Sequence, residues 1–232
     1  VNRKDELGEL QKSFNEMVQS VQSLEVMRSS FISNVSHELK PPMTTIGGFI
    51  DGIIDGTIDE SKHEYYMKIV SDEVKRLSVM VNAMLSLSKL ESGQTELKYA
   101  AVDVTEIICR VIISFSLKFE SKNIEIRGMD DASTFIVDGD YDLLYQAVYN
   151  LFDNAIKFTP ENGVITLNID DLNRSISITN SGQGIKDEDI EFIFDRFYKT
   201  DDSRSGDKTG VGLGLFIVKN LLTYHDEKIW AE

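Results

Sequence analysis

The feature that most constrains the fold of this chain is a pair of long segments with apolar residues at helical spacing, one ending near Asp55 and one at about 61–91. An acidic turn containing Gly56 separates them, which predicts two helices in an antiparallel hairpin. In the second helix the apolar steps alternate between four and three, as in a coiled-coil seam: Val70, Val74, Leu77, Val81 and Met84. One hairpin cannot cover the stripes of both helices. We therefore predict a homodimer in which the helices of about 23–91 form a four-helix bundle.

The first helix carries a histidine opposite its apolar stripe. The stripe consists of residues three or four positions apart: Phe31, Val35, Leu39, Met43, Ile46 and Ile50. His37 lies midway between Val35 and Leu39, roughly 160–200° from the stripe at about 100° per residue, so we expect its imidazole in water beside Glu38. A surface histidine without a role is the alternative. A neutral imidazole is a competent nucleophile near pH 7, and a neighbouring carboxylate can accept its proton.

Length and charge limit the classes of protein. A chain of 232 residues can form one large domain or two smaller ones, each with its own core. Its 39 acidic and 24 basic residues give a net charge of −15, which argues against nucleic acid and anionic membrane surfaces as partners. No run of about eighteen apolar residues occurs, so we expect no membrane span.

After about Lys98 the pattern changes to alternating short strands and helices. The predicted helices lie at about 103–120, 140–158 and 187–194, with a last helix from about Leu213. The predicted strands lie at 124–126, 135–137, 164–169, 175–179 and near 228–231. We therefore expect an α+β sandwich, a mixed sheet with helices on one side, after the N-terminal helices.

Three groups of residues in this second part suit a nucleotide. Asn150 and Asn154 are four positions apart on the strongest predicted helix and share a face with Lys157 beside them. Amide oxygens are ligands that Mg²⁺ accepts, and lysine suits phosphate. A solvated polar face is the alternative interpretation.

Two glycine-containing segments follow. Asn180-Ser-Gly182-Gln-Gly184 closes a strand, where glycine lets backbone approach a flat ligand closely, although a plain turn explains it equally well. Gly210-Val-Gly212-Leu213-Gly214-Leu215 opens a helix, whose N–H groups can face a phosphate. Neither segment is a P-loop or a Rossmann fingerprint.

In combination these segments resemble sensor histidine kinases over nearly the whole chain. The sequence S-H-E-L-K-P-P-M around His37 resembles the phosphoacceptor box of that family. The segments N-L-F-D-N-A-I-K-F-T-P, N-S-G-Q-G, I-F-D-R-F-Y-K and G-V-G-L-G-L resemble the N box, first glycine box, F box and second glycine box of the Bergerat ATP-binding fold. Residues 1–22, with D-E-L-G-E-L-Q-K-S-F-N-E-M-V, resemble the last helix of HAMP linkers.

The resemblance implies an organisation. We expect the end of a HAMP-like linker at 1–22, a dimerisation and phosphotransfer hairpin at 23–97, and an ATP-binding domain at 98–232 that is truncated at its C-terminus. The partner would be a response-regulator receiver domain with a phosphoaccepting aspartate. The chain would be the cytoplasmic portion of a membrane-anchored bacterial receptor, joined to the membrane only through missing upstream segments.

The resemblance also implies residue roles. His37 would accept the γ-phosphoryl group of ATP, with Glu38 as general base. The implied ATP and Mg²⁺ contacts are Asn150 and Asn154 for the metal, Lys157 and Lys199 for phosphates, Phe158 beside adenine, Asn180, Gly182 and Gly184 around the base, and a lid at 196–211 ended by Gly210, Gly212, Leu213 and Gly214.

Two positions depart from the family pattern. Asn180 replaces the usual Asp, and its amide oxygen accepts a hydrogen bond without the charge, which predicts a lower nucleotide affinity. Pro41 replaces the Thr or Asn whose side chain orients the water for dephosphorylation of the regulator. We therefore expect weak phosphatase activity and a bend in the first helix, because Pro41 and Pro42 each remove a helical hydrogen bond.

Two other functions remain open at this point. A hydrolytic ATPase of the gyrase type would share the pocket, but in such enzymes a Glu at the first N-box position activates water, and here that residue is Asn150. A coiled-coil adaptor with an inactive nucleotide pocket is the second. The products distinguish the three functions. A kinase places phosphate on the protein, a hydrolytic ATPase releases free phosphate, and an adaptor binds ATP without either product.

Overall fold

The structure is a computed structural model that describes residues 6–91, 97–129, 133–200 and 212–232. The chain divides into two compact units, Val1–Val79 and Met80–Glu232. Within the described residues, none of the helices combines the length and apolar character needed to cross a bilayer.

Two long helices dominate the N-terminal part. Helix α1 extends over Glu6–Ile54 and helix α2 over His63–Glu91. The turn between them contains Gly56 at φ +76°, in the left-handed region that favours glycine, and a short 3-10 helix at Glu60–Lys62. The Asp59 side chain accepts a hydrogen bond from the Ser61 backbone N–H and so begins this 3-10 helix. The helix–turn–helix arrangement predicted from the sequence is therefore present.

The two helices pack antiparallel. The Phe49 ring lies 4.8 Å from the Tyr66 ring, and a guanidinium nitrogen of Arg76 lies 3.8 Å from a Glu38 oxygen. Moving back along α1 thus corresponds to moving forward along α2. Pro42 is fully buried and Pro41 is exposed, and α1 stays helical through both.

The apolar stripes are only partly covered within one chain. On α1, Leu39 and Ile46 are half-buried, whereas Met43 is 61% exposed. On α2, Val70 is buried and Val74 is 52% exposed. A single neighbouring helix covers a narrow arc, so the remainder of each stripe faces away from it.

The described part of the second unit contains five strands. They are β1 Ala100–Asp103, β2 Glu125–Arg127, β3 Ile136–Gly139, β4 Val164–Asp170 and β5 Ser175–Asn180. β1 pairs antiparallel with β3, while β4 pairs parallel with β2 and antiparallel with β5. The mixed pairing confirms the predicted α+β class. Strand β1 was absent from the sequence-based expectation.

Within residues 97–129, 133–200 and 212–232, five helices accompany the strands: α3 Val104–Ser114, α4 Ser116–Lys122, α5 Tyr141–Phe158, α6 Asp187–Ile190 and α7 Gly214–Tyr224. The single helix expected at 103–120 is wrong, because α3 ends at Ser114. The next residue, Phe115, shares its backbone N–H between the Val111 and Ile112 carbonyls, and α4 begins after it. The helix expected at 187–194 is shorter. The strand expected near 228–231 is also wrong within the described chain: Asp226 takes φ +57° after α7, and the following residues join neither sheet.

The hydrophobic core of this unit lies between α3, α5 and the central strand. Its most buried side chains are Ile107, Ile108, Val111, Phe152, Ile165 and Leu167. Helix α3 presents its apolar residues to this core, and its N-cap is Asp103, whose carboxylate accepts the Thr105 N–H. The packing fixes α5, which carries the N box, against the sheet.

Candidate functional site

The candidate phosphoacceptor lies on α1. His37 is exposed, as its position opposite the stripe predicted, whereas the Glu38 side chain is two-thirds buried on the side that faces α2. Pro41 and Pro42 have no N–H to offer the carbonyls of His37 and Glu38. The bend expected at this point stays a prediction.

The N-terminal end of α5 is fixed by a buried aspartate. The Asp140 carboxylate accepts hydrogen bonds from the backbone N–H groups of Lys98, Asp142 and Leu143, at 2.9, 3.0 and 3.3 Å. Burial raises the pKa of the Asp140 carboxyl, but the three N–H donors outweigh that effect and hold the pKa below its ordinary value. Asp140 is therefore a charged N-cap that connects α5 to the start of β1.

A buried histidine completes this end of α5. His225 Nε2 accepts the Asp140 backbone N–H at 3.0 Å, and Nδ1 lies 2.7 Å from the Leu221 carbonyl. An N–H can only donate and a carbonyl can only accept, so these contacts assign a neutral ring protonated at Nδ1. His225 thereby joins the end of α7 to the start of α5.

The middle of α5 carries the candidate metal ligands. Asn150 and Asn154 are half-buried, and within the described residues neither amide side chain has a hydrogen-bond partner. Lys157, one turn further on, lies with Nζ 5.1 Å from the centre of the Phe158 ring. Two half-buried amide oxygens on one helical face fit Mg²⁺ held together with substrate phosphates. The described residues contain no cluster of three or more His, Cys, Asp or Glu, so a site built mainly from protein carboxylates is absent there.

A lysine fixes the C-terminal end of α5. Lys122 Nζ, at the end of α4, donates to the carbonyls of Ile156, Lys157 and Thr159 at 2.8, 3.2 and 2.9 Å. These carbonyls have no helical partners, because the helix ends at Phe158. A cation in this position is also favourable to the helix dipole.

The first glycine box meets the end of α5. A Cβ on Gly182 would lie 2.1 Å from the Phe158 carbonyl oxygen and 2.6 Å from the Asn180 side-chain nitrogen. Glycine is therefore needed at position 182 because the Phe158 backbone lies so close. The sequence had suggested instead that glycine allows a close approach of the ligand. A Cβ on Gly184 would meet nothing within 4 Å among the described residues, so the space beside it is open.

The F box meets the second glycine box. Gly212 has φ +72°, and a Cβ there would lie 2.7 Å from the Tyr198 carbonyl oxygen. The Phe197 N–H donates to the Gly212 carbonyl at 2.9 Å, and Phe197 itself has φ +62°. Lys199 follows in irregular structure and is half-buried. Gly210, like the rest of 201–211 in the expected lid, lies outside the described residues.

The boxes lie on elements that contact one another. Helix α5 packs against α7, which begins at Gly214 directly after the buried Leu213, and against β5, which ends at Asn180. The structure therefore brings the N box together with the first glycine box, and the F box together with the second.

Sequence reasoning missed the residues that support these boxes. Asp140 had a detectable signal, because an aspartate directly before an apolar helical segment is a typical N-cap. Lys122 and His225 had none, since their partners lie 34 to 37 and 85 residues away. Arg76, beside Glu38, was overlooked because only apolar residues defined the stripe on α2.

Comparison with known proteins assigns both parts of the chain. Residues 27–93 match the His Kinase A (phospho-acceptor) domain, and residues 139–232 match the histidine kinase-, DNA gyrase B-, and HSP90-like ATPase family. The second match makes this part an ATP-binding domain, and the two together define the class of the protein. The chain belongs to the sensor histidine kinases of two-component systems.

Particular relatives agree with this assignment. Sensor histidine kinase YclK of Bacillus subtilis is 35% identical over 95% of this chain, which covers 48% of YclK. The heme sensor protein HssS of Staphylococcus saprophyticus is 33% identical over the full chain, which covers 49% of HssS. The chain thus spans about half the length of these relatives.

Solved structures of similar fold are also histidine kinases. Histidine kinase ThkA in complex with the response regulator protein TrrA has a TM-score of 0.72 and 29% identity, covering 98% of this chain and 64% of that one. Histidine kinase AdeS of Acinetobacter baumannii has a TM-score of 0.61 and 26% identity, covering 81% and 86%.

Proposed function

We propose that this chain catalyses the ATP-dependent phosphorylation of its own His37 and passes the phosphoryl group to an aspartate of a response-regulator receiver domain. The observation that carries the proposal is an exposed histidine next to a carboxylate, Glu38, on a helix of a chain that also contains an ATP-binding domain. The complex of ThkA with a response regulator supports the second step.

The first step is a nucleophilic displacement at phosphorus. One ring nitrogen of His37 attacks the γ-phosphorus of ATP and forms a P–N bond, while the bond to the bridging oxygen breaks and ADP leaves with its electron pair. The proton on the other ring nitrogen passes to Glu38. Such transfers depend mainly on positioning and on neutralisation of charge, which the ATP-binding domain has to supply.

The ATP-binding residues are proposed by position. Asn150 and Asn154 would hold Mg²⁺, and Lys157 and Lys199 would contact the phosphates; when bound, the metal neutralises phosphate charge. This assignment is supported by the two amides, which have no hydrogen-bond partner among the described residues, and by the space that those residues leave open beside Gly184. Asn180 would accept the adenine amino hydrogen without a formal charge, which is why we propose a lower nucleotide affinity than an aspartate would give. Residues 196–211 would form the lid.

The assembly is proposed to be a homodimer through the helices of about 23–91. Its support is the apolar surface that one hairpin leaves exposed, including Met43 and Val74 at 61% and 52%. Sedimentation of the full chain should give a dimer mass that Val74→Glu lowers. Leu172→Glu, in the turn between β4 and β5 where the side chain is 96% exposed, should leave it unchanged.

The domain limits 1–22, 23–97 and 98–232 belong to the proposal as well. We also propose that the chain is the cytoplasmic portion of a membrane-anchored receptor. The limit near residue 98 is based on the change of sequence pattern after about Lys98. The limit at residue 22 and the membrane anchor are based on the resemblance of residues 1–22 to the last helix of a HAMP linker.

Weak phosphatase activity is proposed from Pro41, which lies one turn after His37 and has no side-chain donor or acceptor to orient a water. Pro41→Thr should accelerate loss of phosphate from the phosphorylated cognate regulator. If the native chain already dephosphorylates that regulator as fast as the variant does, Pro41 does not limit the reaction.

Incubation with γ-labelled ATP and Mg²⁺ tests the main proposal. His37→Gln should abolish acid-labile label on the protein and leave ATP binding intact, while His63→Gln, at the start of α2, should label normally. Release of free phosphate without labelled protein would favour a hydrolytic ATPase. ATP binding without either product would favour an adaptor.

A further inference from the structure

A cluster of three charged side chains lies between α1 and α2, one residue beyond His37. The Arg76 guanidinium has one terminal nitrogen 3.8 Å from Glu38 Oε2 and the other 3.7 Å from Glu73 Oε2. The Arg76 side chain is only 18% exposed, whereas Lys75, which pairs with Asp72 on the same helix, is 74% exposed. The cluster is therefore largely withdrawn from water while the neighbouring imidazole is not.

The bonding of this guanidinium is incomplete. Both distances exceed the usual N–H···O range, so Arg76 forms an ion pair with each carboxylate but no close hydrogen bond to either. Arg76 Nε and Glu73 Oε2 are buried and have no hydrogen-bond partner within the described part of the chain. Buried polar atoms normally find partners, and guanidinium offers five donors in a fixed planar arrangement. Arg76 is thus placed between two carboxylates and can approach either of them.

We propose that Arg76 is a positioning residue that holds Glu38 in place to receive the His37 proton, an inference that rests on the proposed autophosphorylation. A general base acts only when its oxygen is held within hydrogen-bond reach of the proton it removes. Arg76 faces one oxygen of Glu38 and so restricts the rotamers of that side chain. When Glu38 has taken the proton and lost its charge, Glu73 still balances the guanidinium, so the cluster never leaves a buried cation uncompensated.

The test is a double-mutant cycle on the rate of autophosphorylation at saturating Mg²⁺–ATP, with the KM for ATP measured in parallel. Arg76→Met should lower the rate constant by about tenfold or more, a part of the ~100- to 10,000-fold that a positioned base supplies, with KM for ATP changed less than about twofold. In the Glu38→Gln background, Arg76→Met should have no further effect, because the group through which it acts is gone. Lys75→Met is the matched control and should leave the rate unchanged.

Arg76→Lys keeps the charge but not the planar fork, so its rate should lie between those of the wild type and Arg76→Met, with the same loss of effect in the Glu38→Gln background. This variant also serves if Arg76→Met fails to fold. Equal slowing by Arg76→Met in the wild-type and Glu38→Gln backgrounds would show a purely structural role and overturn the inference, as would an unchanged rate. If His37 is labelled normally but the double-mutant cycle shows no coupling between Arg76 and Glu38, only the role of Arg76 is refuted. If the wild type carries no label, the proposed function is refuted as well.

Discussion

Lys122 should be a strong determinant of the stability of the ATP-binding domain. Its ammonium donates to three carbonyls at the end of α5, at 2.8, 3.2 and 2.9 Å. A hydrogen bond to a charged group contributes about 1.5–3 kcal/mol net, but the three bonds share one ammonium and water can replace part of the loss. We therefore expect Lys122→Met, which keeps the aliphatic stem, to cost about 2–4 kcal/mol.

A neighbouring lysine gives the matched control. Lys118, one turn earlier on α4, has Nζ 2.7 Å from Asp153, but the side chains are 54% and 46% exposed. An exposed ion pair contributes about 0–1 kcal/mol, so Lys118→Met should have a much smaller effect. The two variants thus separate a helix-end contact from an ordinary surface charge pair.

The assay is urea unfolding followed by fluorescence of Trp230, the only tryptophan of the chain, which lies in the second unit. With a slope of about 1–3 kcal/mol per M urea, Lys122→Met should lower the midpoint by roughly 1–2 M. Because Lys157 and Phe158 lie at the affected helix end, ATP affinity should fall as well. Equal midpoint shifts for the two lysine variants would refute the reasoning.

Three further outcomes are expected from residues around α5. Gly184→Ala should fold normally yet weaken ATP binding in calorimetry, and normal ATP binding by this variant would contradict the prediction. Gly182→Ala should destabilise the apo protein, because the new Cβ would lie 2.1 Å from the Phe158 carbonyl oxygen. His225→Phe should cost about 2–4 kcal/mol in urea unfolding, because it leaves the Asp140 N–H and the Leu221 carbonyl buried without partners. Because the pKa of Asp140 is lowered in the folded state, the unfolded chain binds this proton more tightly. The ionised carboxylate therefore contributes to the free energy of unfolding above about pH 4, and the contribution is lost as pH falls through the folded-state pKa. Asp140→Asn should flatten that part of the acid-unfolding curve.

The sequence predicted those features that depend on local period and turn chemistry. The exposure of His37 followed from 100° per residue, the helical hairpin from the 55–60 turn, and the antiparallel pairing of β4 with β5 from the alternation of their residues. The break at Phe115 was not predictable in this way, because apolar residues continue across it at helical spacing. Strand β1 is four residues long and is identified only by its pairing with β3, so it lacked a local signal.

The residues of the candidate site were likewise predictable where local spacing places them and not where distant contacts do. Asn150, Asn154 and Lys157 could be placed on one face from spacing alone. The sequence also marked Gly182 and Gly184 together, but only the structure separates them. The absence of a Cβ at Gly182 accommodates the Phe158 carbonyl, whereas at Gly184 the described residues leave the space open. Their different causes depend on a contact between a helix end and a strand end that no sequence spacing encodes.

The hydrogen bonds at both ends of α5 hold Asn150 and Asn154 in place. His225 and Asp140 fix its first turn from α7 and the start of β1, and Lys122 fixes its last turn from α4, so both ends are tied to elements distant in the sequence. Asn150 and Asn154 lie between these ties on a helix whose other face is in the core. The conformational entropy of Asn150 and Asn154 is therefore lost when the domain folds and not when the nucleotide binds. A substitution at either end of α5 should accordingly weaken ATP binding even though neither end supplies the proposed metal ligands.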